Sequence, residues 1–235
     1  MALLTDPHWE VVHWEVVPPL LRELLSEIGQ QPFCRRFYLA GGTALALRLG
    51  HRVSVDLDFF SQTDELLDDS RAEIVAALRT RRVVRVLEDV VGNLLLEIEG
   101  YRVGFFGYGY ALLEPPDEVA GVRVASLADV GLMKLDAIAD RGARRDFYDA
   151  YFISRRIPLD RLLDQSPIKY PYTRGFGMMV LEGMVDFDRA DQQALVETIP
   201  PVAWETIKEF FVQELRRIGR MWFEPESCQR IRRTD

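Results

Sequence analysis

Two aspartates, Asp56 and Asp58, stand two residues apart in the run Val53 to Phe60, where Val53, Val55, Leu57 and Phe59 alternate with Ser54, Asp56, Asp58 and Phe60. That period is a strand's. On a strand, residues i and i+2 point to one face, about 7 Å apart along the chain. Carboxylates so placed repel unless a cation lies between them. Paired oxygen ligands suit Mg²⁺ or Mn²⁺, and such metals can clamp an in-line phosphoryl displacement. Ser54 is in phase with both acids, so its hydroxyl is expected on their face. Arg52, just ahead of them, is placed to pair with a carboxylate.

Upstream, Leu39-Ala40-Gly41-Gly42-Thr43 reads as a strand, a turn and the start of a helix over Thr43 to Leu49. Two glycines at such a turn let backbone N–H groups approach a phosphate, and the helix N-terminus adds favourable partial charge. The Thr43 hydroxyl can bond a phosphate oxygen. This is no Walker A loop, since no Gly-Lys-Ser/Thr follows. A Gly-Gly turn alone is usually just a turn, and Asp-x-Asp alone is usually a solvated strand face. Together, with a helix between them, they read as a phosphate cradle and a metal pair at neighbouring strand ends.

The elements that must hold these residues can be traced from the pattern. Pro18-Pro19 opens an amphipathic helix ending near Gly29. Arg36–Ala40 and Val53–Phe60 read as strands, and residues 70–80 as a helix. Arg82–Leu87, Leu94–Ile98, Tyr101–Phe106 and Val122–Ala125 read as further strands. After Ser126, an N-cap with Asp129 three residues on, the chain turns helical: 126–141, then Arg144–Arg156, then a last helix from Pro200-Pro201 to Arg217. The expected fold class is α/β (α+β), a mixed sheet with flanking helices followed by an α-helical half. The expected domains are 1–125, an α/β domain with its N-terminal helix, and 126–235, a helical domain completing the active site.

Composition limits the alternatives. The chain has 235 residues, is 48% hydrophobic and 28% charged, and carries a net charge of −8. These values fit a folded soluble protein. No apolar run reaches the length of a membrane span, and the first residues lack the pattern of a signal peptide, so a cytoplasmic protein without membrane contact is expected. Cys34 and Cys228 are too few for a disulfide scaffold. His8, His13 and His51 have no metal-ligand spacing. The acidity is concentrated in residues 1–70, with 11 acidic against 5 basic side chains, whereas residues 71–157 balance at 13 each. Net acidity excludes a broad electrostatic coat on nucleic acid but not a small site for a nucleotide and a chain end. Only three lysines occur, Lys134, Lys169 and Lys208.

The residues Leu39-Ala-Gly-Gly-Thr-Ala-Leu-Ala-Leu, and then Gly50-His-Arg-x-Ser-x-Asp-Leu-Asp-Phe-Phe60, resemble the AbiEii/AbiGii toxin family of nucleotidyltransferases, which are similar to polymerase beta-like minimal nucleotidyltransferases. The likeness continues in Leu132-Met-Lys134-Leu-Asp-Ala-Ile-Ala-Asp-Arg141-Gly-Ala-Arg-Arg145-Asp146-Phe-Tyr-Asp149, and spans residues 36–156. It implies a polymerase beta-like sheet and transfer of a nucleoside monophosphate from an NTP, with Mg²⁺ (or Mn²⁺), to an acceptor hydroxyl. It implies an RNA acceptor, a tRNA end being the best single guess, and a type IV toxin–antitoxin or abortive-infection role with a cognate antitoxin. It assigns Gly41, Gly42 and Thr43 to the triphosphate and Asp56 and Asp58 to the metal. Lys134 falls to the nucleotide phosphates or the transition state, and Asp146 acts as a ligand or as an anchor for Lys134. Arg52, Ser54 and Arg145 lie within the same motifs and are counted with the nucleotide site. The spacing supports the second pair of motifs: Lys134 and Arg141 share one helix face, and Asp146 and Asp149 another.

One departure stands out. Such enzymes usually carry a third carboxylate on a later strand, where this chain has Gly104; Glu97 and Glu99 on the preceding strand are the available substitutes. The alternatives to RNA modification are nucleotidyl transfer to a protein, or a catalytically weak NTP-binding protein.

Overall fold

The structure is a computed structural model and describes residues 11–223; His8 and Cys228 lie outside them. The chain forms two compact units, one up to Met133 and one from Lys134. The seam falls inside a helix.

In the first unit, α1 (Pro19–Gly29) starts at Pro19 and buries Leu21, Leu24, Leu25 and Ile28. Proline suits a first helical position because its missing N–H has no partner there in any helix. Next come β1 (Tyr38–Ala40), α2 (Gly41–Leu49), β2 (Asp56–Ser61), α3 (Asp68–Arg79), β3 (Val84–Val90), β4 (Asn93–Ile98), β5 (Tyr101–Gly107), β6 (Asp117–Val119) and β7 (Val122–Val124). Among the described residues these strands form one mixed sheet in the order β3-β4-β5-β2-β1-β7-β6. β2 runs parallel to β5 and antiparallel to β1, and β1 runs parallel to β7. On one face Leu39, Leu57, Phe59, Leu94, Leu96, Val103 and Phe105 are completely buried. The rings of Phe33, Phe37 and Phe59 surround Phe105 at 5.1–5.8 Å. That face is the core, so the alternate residues of β2 are left on the other.

The helix α4 (Leu127–Asp140) begins where Ser126 was expected to cap it: the Asp129 N–H donates to Ser126 Oγ at 3.0 Å, and the Ser126 hydroxyl donates to Asp129 Oδ2 at 2.8 Å. The second unit continues with α5 (Arg144–Ser154), α6 (Leu159–Lys169), α7 (Phe176–Gly183), α8 (Asp188–Asp191) and α9 (Trp204–Phe223). Phe147 is its aromatic hub, with Phe187, Trp204 and Phe211 at 5.2–5.7 Å.

Four local expectations need correction. The strand expected over 53–60 begins only at Asp56; Val53 and Val55 are exposed, and the Ser54 N–H donates to the Val16 carbonyl at 3.1 Å instead of to a sheet partner. The Gly-Gly pair is not a turn before α2 but its first two residues. β6 was not anticipated, because Asp117-Glu118-Val119 is short and charged. The last helix starts at Trp204 and runs to Phe223. Ahead of it the Thr198 hydroxyl donates to the Pro200 carbonyl and accepts the Val202 N–H, which braces the bend at Pro200.

Candidate active site

Residues paired across neighbouring strands share a face, so the register sets out the polar face of the sheet row by row. One row reads Ala40, Asp58, Gly104, Leu95 across β1, β2, β5 and β4. The row on one side of it reads Asp56, Arg102, Glu97, Arg85. The row on the other reads Tyr38, Phe60, Phe106, Asn93. Asp56 and Asp58 therefore lie on one face as the alternation requires, both half-buried, while Leu57 and Phe59 go into the core.

Gly41 follows Ala40 and so arrives beside Asp58. It has φ +66°, and a Cβ there would lie 2.6 Å from Asp58 Oδ2. A side chain would both strain the backbone and push the carboxylate aside. Gly42 has a similar neighbour: a Cβ would lie 2.5 Å from Arg52 Nη2 and 3.2 Å from Ser54 Oγ. The absent side chains let the start of α2 stand directly against Asp58 and Arg52. Thr43 is buried. Its hydroxyl is bonded to the Asp56 carbonyl and lies 2.9 Å from Ser54 Oγ, tying α2 to the first residue of β2. Ser54 is buried beside Thr43 and precedes the strand. Gly41, Gly42, Thr43, Arg52, Ser54, Asp56 and Asp58 are thus gathered at one end of β2.

Among the described residues no three of His, Cys, Asp and Glu gather as a metal cage. Asp56 and Asp58 offer a two-carboxylate oxygen set instead. Mg²⁺ is commonly held by one or two carboxylates, with waters and substrate phosphates supplying the remaining ligands. The residues present fit that group.

The third-carboxylate position is filled by a ring. Gly104 pairs with Asp58, and a Cβ on it would lie 2.5 Å from Phe106 Cε2 and Cζ. Phe106 in turn stacks on Phe60 at 5.0 Å, and Phe60 on Tyr38 at 6.1 Å. Glu97 is in the row of Asp56 but two strands away, about 10 Å at ordinary strand spacing. It stands between Arg102 and Arg85 in that row, 3.5 Å from the Arg85 guanidinium. Glu99 lies in the β4–β5 turn at φ +52°, 3.8 Å from Arg82. Neither takes the place of an acid at 104.

The second unit holds its own cluster. Lys134 on α4 reaches Asp146 at 2.9 Å and Asp149 at 2.7 Å, both on α5. Both carboxylates are fully buried and the lysine nearly so. Arg141 grips Asp146 with two bonds, Nε to Oδ2 at 2.8 Å and Nη2 to Oδ1 at 3.0 Å. Burial alone would raise the Asp146 carboxyl. The Lys134 ammonium and the Arg141 guanidinium outweigh that and hold it below the ordinary carboxylate range. Asp146 is thus paired with both Lys134 and Arg141. The helical spacings 134/141 and 146/149 were readable beforehand, but the sequence reading did not count Asp149 with the site; its i+3 place after Asp146 was the available sign. Arg145 is exposed, while its neighbour Arg144 is buried and donates to the Ala190 and Asp191 carbonyls.

Comparison with known proteins adds three findings. The family model described as "Nucleotidyl transferase AbiEii toxin, Type IV TA system" matches residues 23–222. An uncharacterized protein of Aquifex aeolicus (strain VF5) is 34% identical over 197 residues, 83% of this chain and 94% of that protein. Among solved structures, an H. pylori protein taken to be a nucleotidyltransferase superposes with a TM-score of 0.52 at 14% identity, over 91% of this chain and 96% of that one. The structural likeness concerns the fold alone.

Proposed function

The chain belongs to the AbiEii nucleotidyltransferase toxin family, and from that premise we propose that it moves a nucleoside monophosphate from an NTP to an RNA hydroxyl, with Asp56 and Asp58 holding a divalent metal ion. The observation that carries this reading is the approach of Gly41 to Asp58. The N-terminus of a helix stands against the Asp58 carboxylate with no side chain between them, and Asp56 lies on the same face of the strand. Such a helix start offers N–H donors to a polyphosphate, and the adjacent carboxylates offer oxygens for its counter-cation.

In this reading each residue has a task. Gly41 and Gly42 leave their N–H groups accessible to phosphate oxygens. Thr43 fixes α2 to β2 through the Asp56 carbonyl, so that the cradle and the carboxylates keep one spacing. Arg52, over Gly42, supplies positive charge at the cradle, with Ser54 beside it. When bound, the metal would neutralise the phosphates and polarise the phosphorus under attack. Lys134 and Asp146, which the family likeness assigns to catalysis, form a pair of their own in the second unit, with Asp149 and Arg141 fixing them. The acceptor hydroxyl oxygen forms a bond to the α-phosphorus as the bond from that phosphorus to the oxygen of the β-phosphate breaks; the hydroxyl proton passes to solvent and pyrophosphate leaves. The family description implies an antitoxin as partner. Among the described residues no helix is long and apolar enough to cross a membrane.

Incubation with each α-labelled NTP, Mg²⁺ and either total RNA or lysate protein tests the proposal. Label on RNA is expected. Label on protein alone would move the acceptor to a protein hydroxyl. Asp56→Ala and Asp58→Ala should each abolish transfer while leaving the fold intact; transfer at the wild-type rate by both would overturn the metal assignment.

A further inference from the structure

The second unit contains a cavity of about 530 Å³ between α6, α7 and the end of α9. We propose that it receives an unpaired nucleotide of the acceptor RNA, a reading that rests on the RNA acceptor proposed above. Its wall is aromatic. Tyr170 and Phe176 are buried with their rings 4.6 Å apart, and the Trp222 indole lies over Gly177, where a Cβ would be 2.6 Å from Trp222 Cη2. At the margin two rings remain in solvent. Phe223 lines the cavity and is 66% exposed; Tyr172, between the lining residues Pro171 and Thr173, is 90% exposed.

Cations accompany these rings. Arg216, Arg220 and Phe223 recur at i, i+4 and i+7, so they occupy one face of α9, and all three are exposed. Arg174 lies between the lining residues Thr173 and Gly175 and is also exposed. None of the three arginines has an ion-pair partner among the described residues. Arg217, on the same helix, is by contrast committed to Asp160 at 2.6 Å and Glu214 at 2.7 Å. One acid, Asp164, lines the wall, and Arg161 stands 3.9 Å from it.

Exposed rings flanked by guanidinium groups that make no ion pair among the described residues match what a single strand needs, a π-face for the base and charge for the phosphates on either side. Because the whole chain carries −8, contact with RNA has to be made by local groups of this kind.

The test is binding of the full chain to a fluorescent single-stranded RNA 12-mer of mixed sequence, without NTP, followed by anisotropy. The same RNA as a duplex is the comparison. The single strand should bind more tightly. Arg216→Glu with Arg220→Glu should weaken it at least tenfold, and Tyr172→Ala or Phe223→Ala about fivefold or more, the lower end for loss of one stacked base. NTP binding by the same variants should not change. If the wild type labels RNA but all these variants bind the single strand as it does, the cavity proposal falls and the RNA-acceptor reading stands. If the wild type neither binds nor labels RNA, both fall together.

Discussion

Replacing Lys134 by methionine keeps the length and apolar stem of the side chain and removes the charge. In the native protein that charge sits 2.9 Å from Asp146 and 2.7 Å from Asp149, and both carboxylates are fully buried. Asp146 retains the two bonds from Arg141, and Asp149 loses the ammonium that lies against it. Breaking one side of a buried ion pair costs about 3–5 kcal/mol, because the remaining charge keeps its desolvation penalty without the attraction that offset it. Equilibrium urea unfolding of Lys134→Met should show a loss of that size. The double variant Lys134→Met with Asp149→Leu removes both charges and should recover most of it, since an apolar pair of similar volume often does as well as a buried ion pair. A single-variant loss below about 1 kcal/mol, the range of exposed pairs, would refute the reasoning. The measurement also decides how an activity loss in Lys134→Ala is read. A catalytic role requires that transfer fall more than about fivefold at a temperature where the variant is still folded, roughly 1 kcal/mol of barrier.

Gly41→Ala forces a side chain into the left-handed region and against Asp58 Oδ2. It should lower transfer on the order of 100-fold, the scale of an ångström's misplacement, and cost about 1–2 kcal/mol of stability; labelled-NTP transfer and urea unfolding check the two. The Asp146 carboxyl is held below its unfolded-state range by Lys134 and Arg141 against its burial. Its contribution to stability is therefore complete above about pH 4 and is lost as pH falls toward its lower folded-state value, so the acid limb of a stability–pH curve should flatten in Asp146→Asn. Cys34 is buried and its thiol is pushed up to about 11. In a Cys228→Ser background it should react with a chromogenic disulfide at pH 8 only on unfolding, and a fast native-state reaction would contradict its burial.

What could be read in advance depended on how local its cause is. The Asp-x-Asp face of β2 and the capping by Ser126 follow from periodicity and from residues three apart, and both were legible. The start of β2 was not, because Val53 and Val55 continue the alternation while the backbone at Ser54 is bound to Val16, 38 positions earlier. The tie from Thr43 to the Asp56 carbonyl and the left-handed φ of Gly41 depend on how α2 returns to the sheet. No pattern along the chain encodes that return. In the second unit, the 134/141 and 146/149 spacings announced shared faces. That Lys134 would be enclosed by two carboxylates emerges only when α4 packs against α5.

The phenylalanine ring over Gly104 makes the missing acid more than an omission. The first carbon of an aspartate at 104 would meet the far edge of the Phe106 ring at 2.5 Å, and Phe106 is itself stacked on Phe60. Phe106 is only half-buried, so admitting the acid means swinging that ring off Phe60 and giving up the stacking. An engineer seeking a third acid therefore has to reckon with 106 as well as 104.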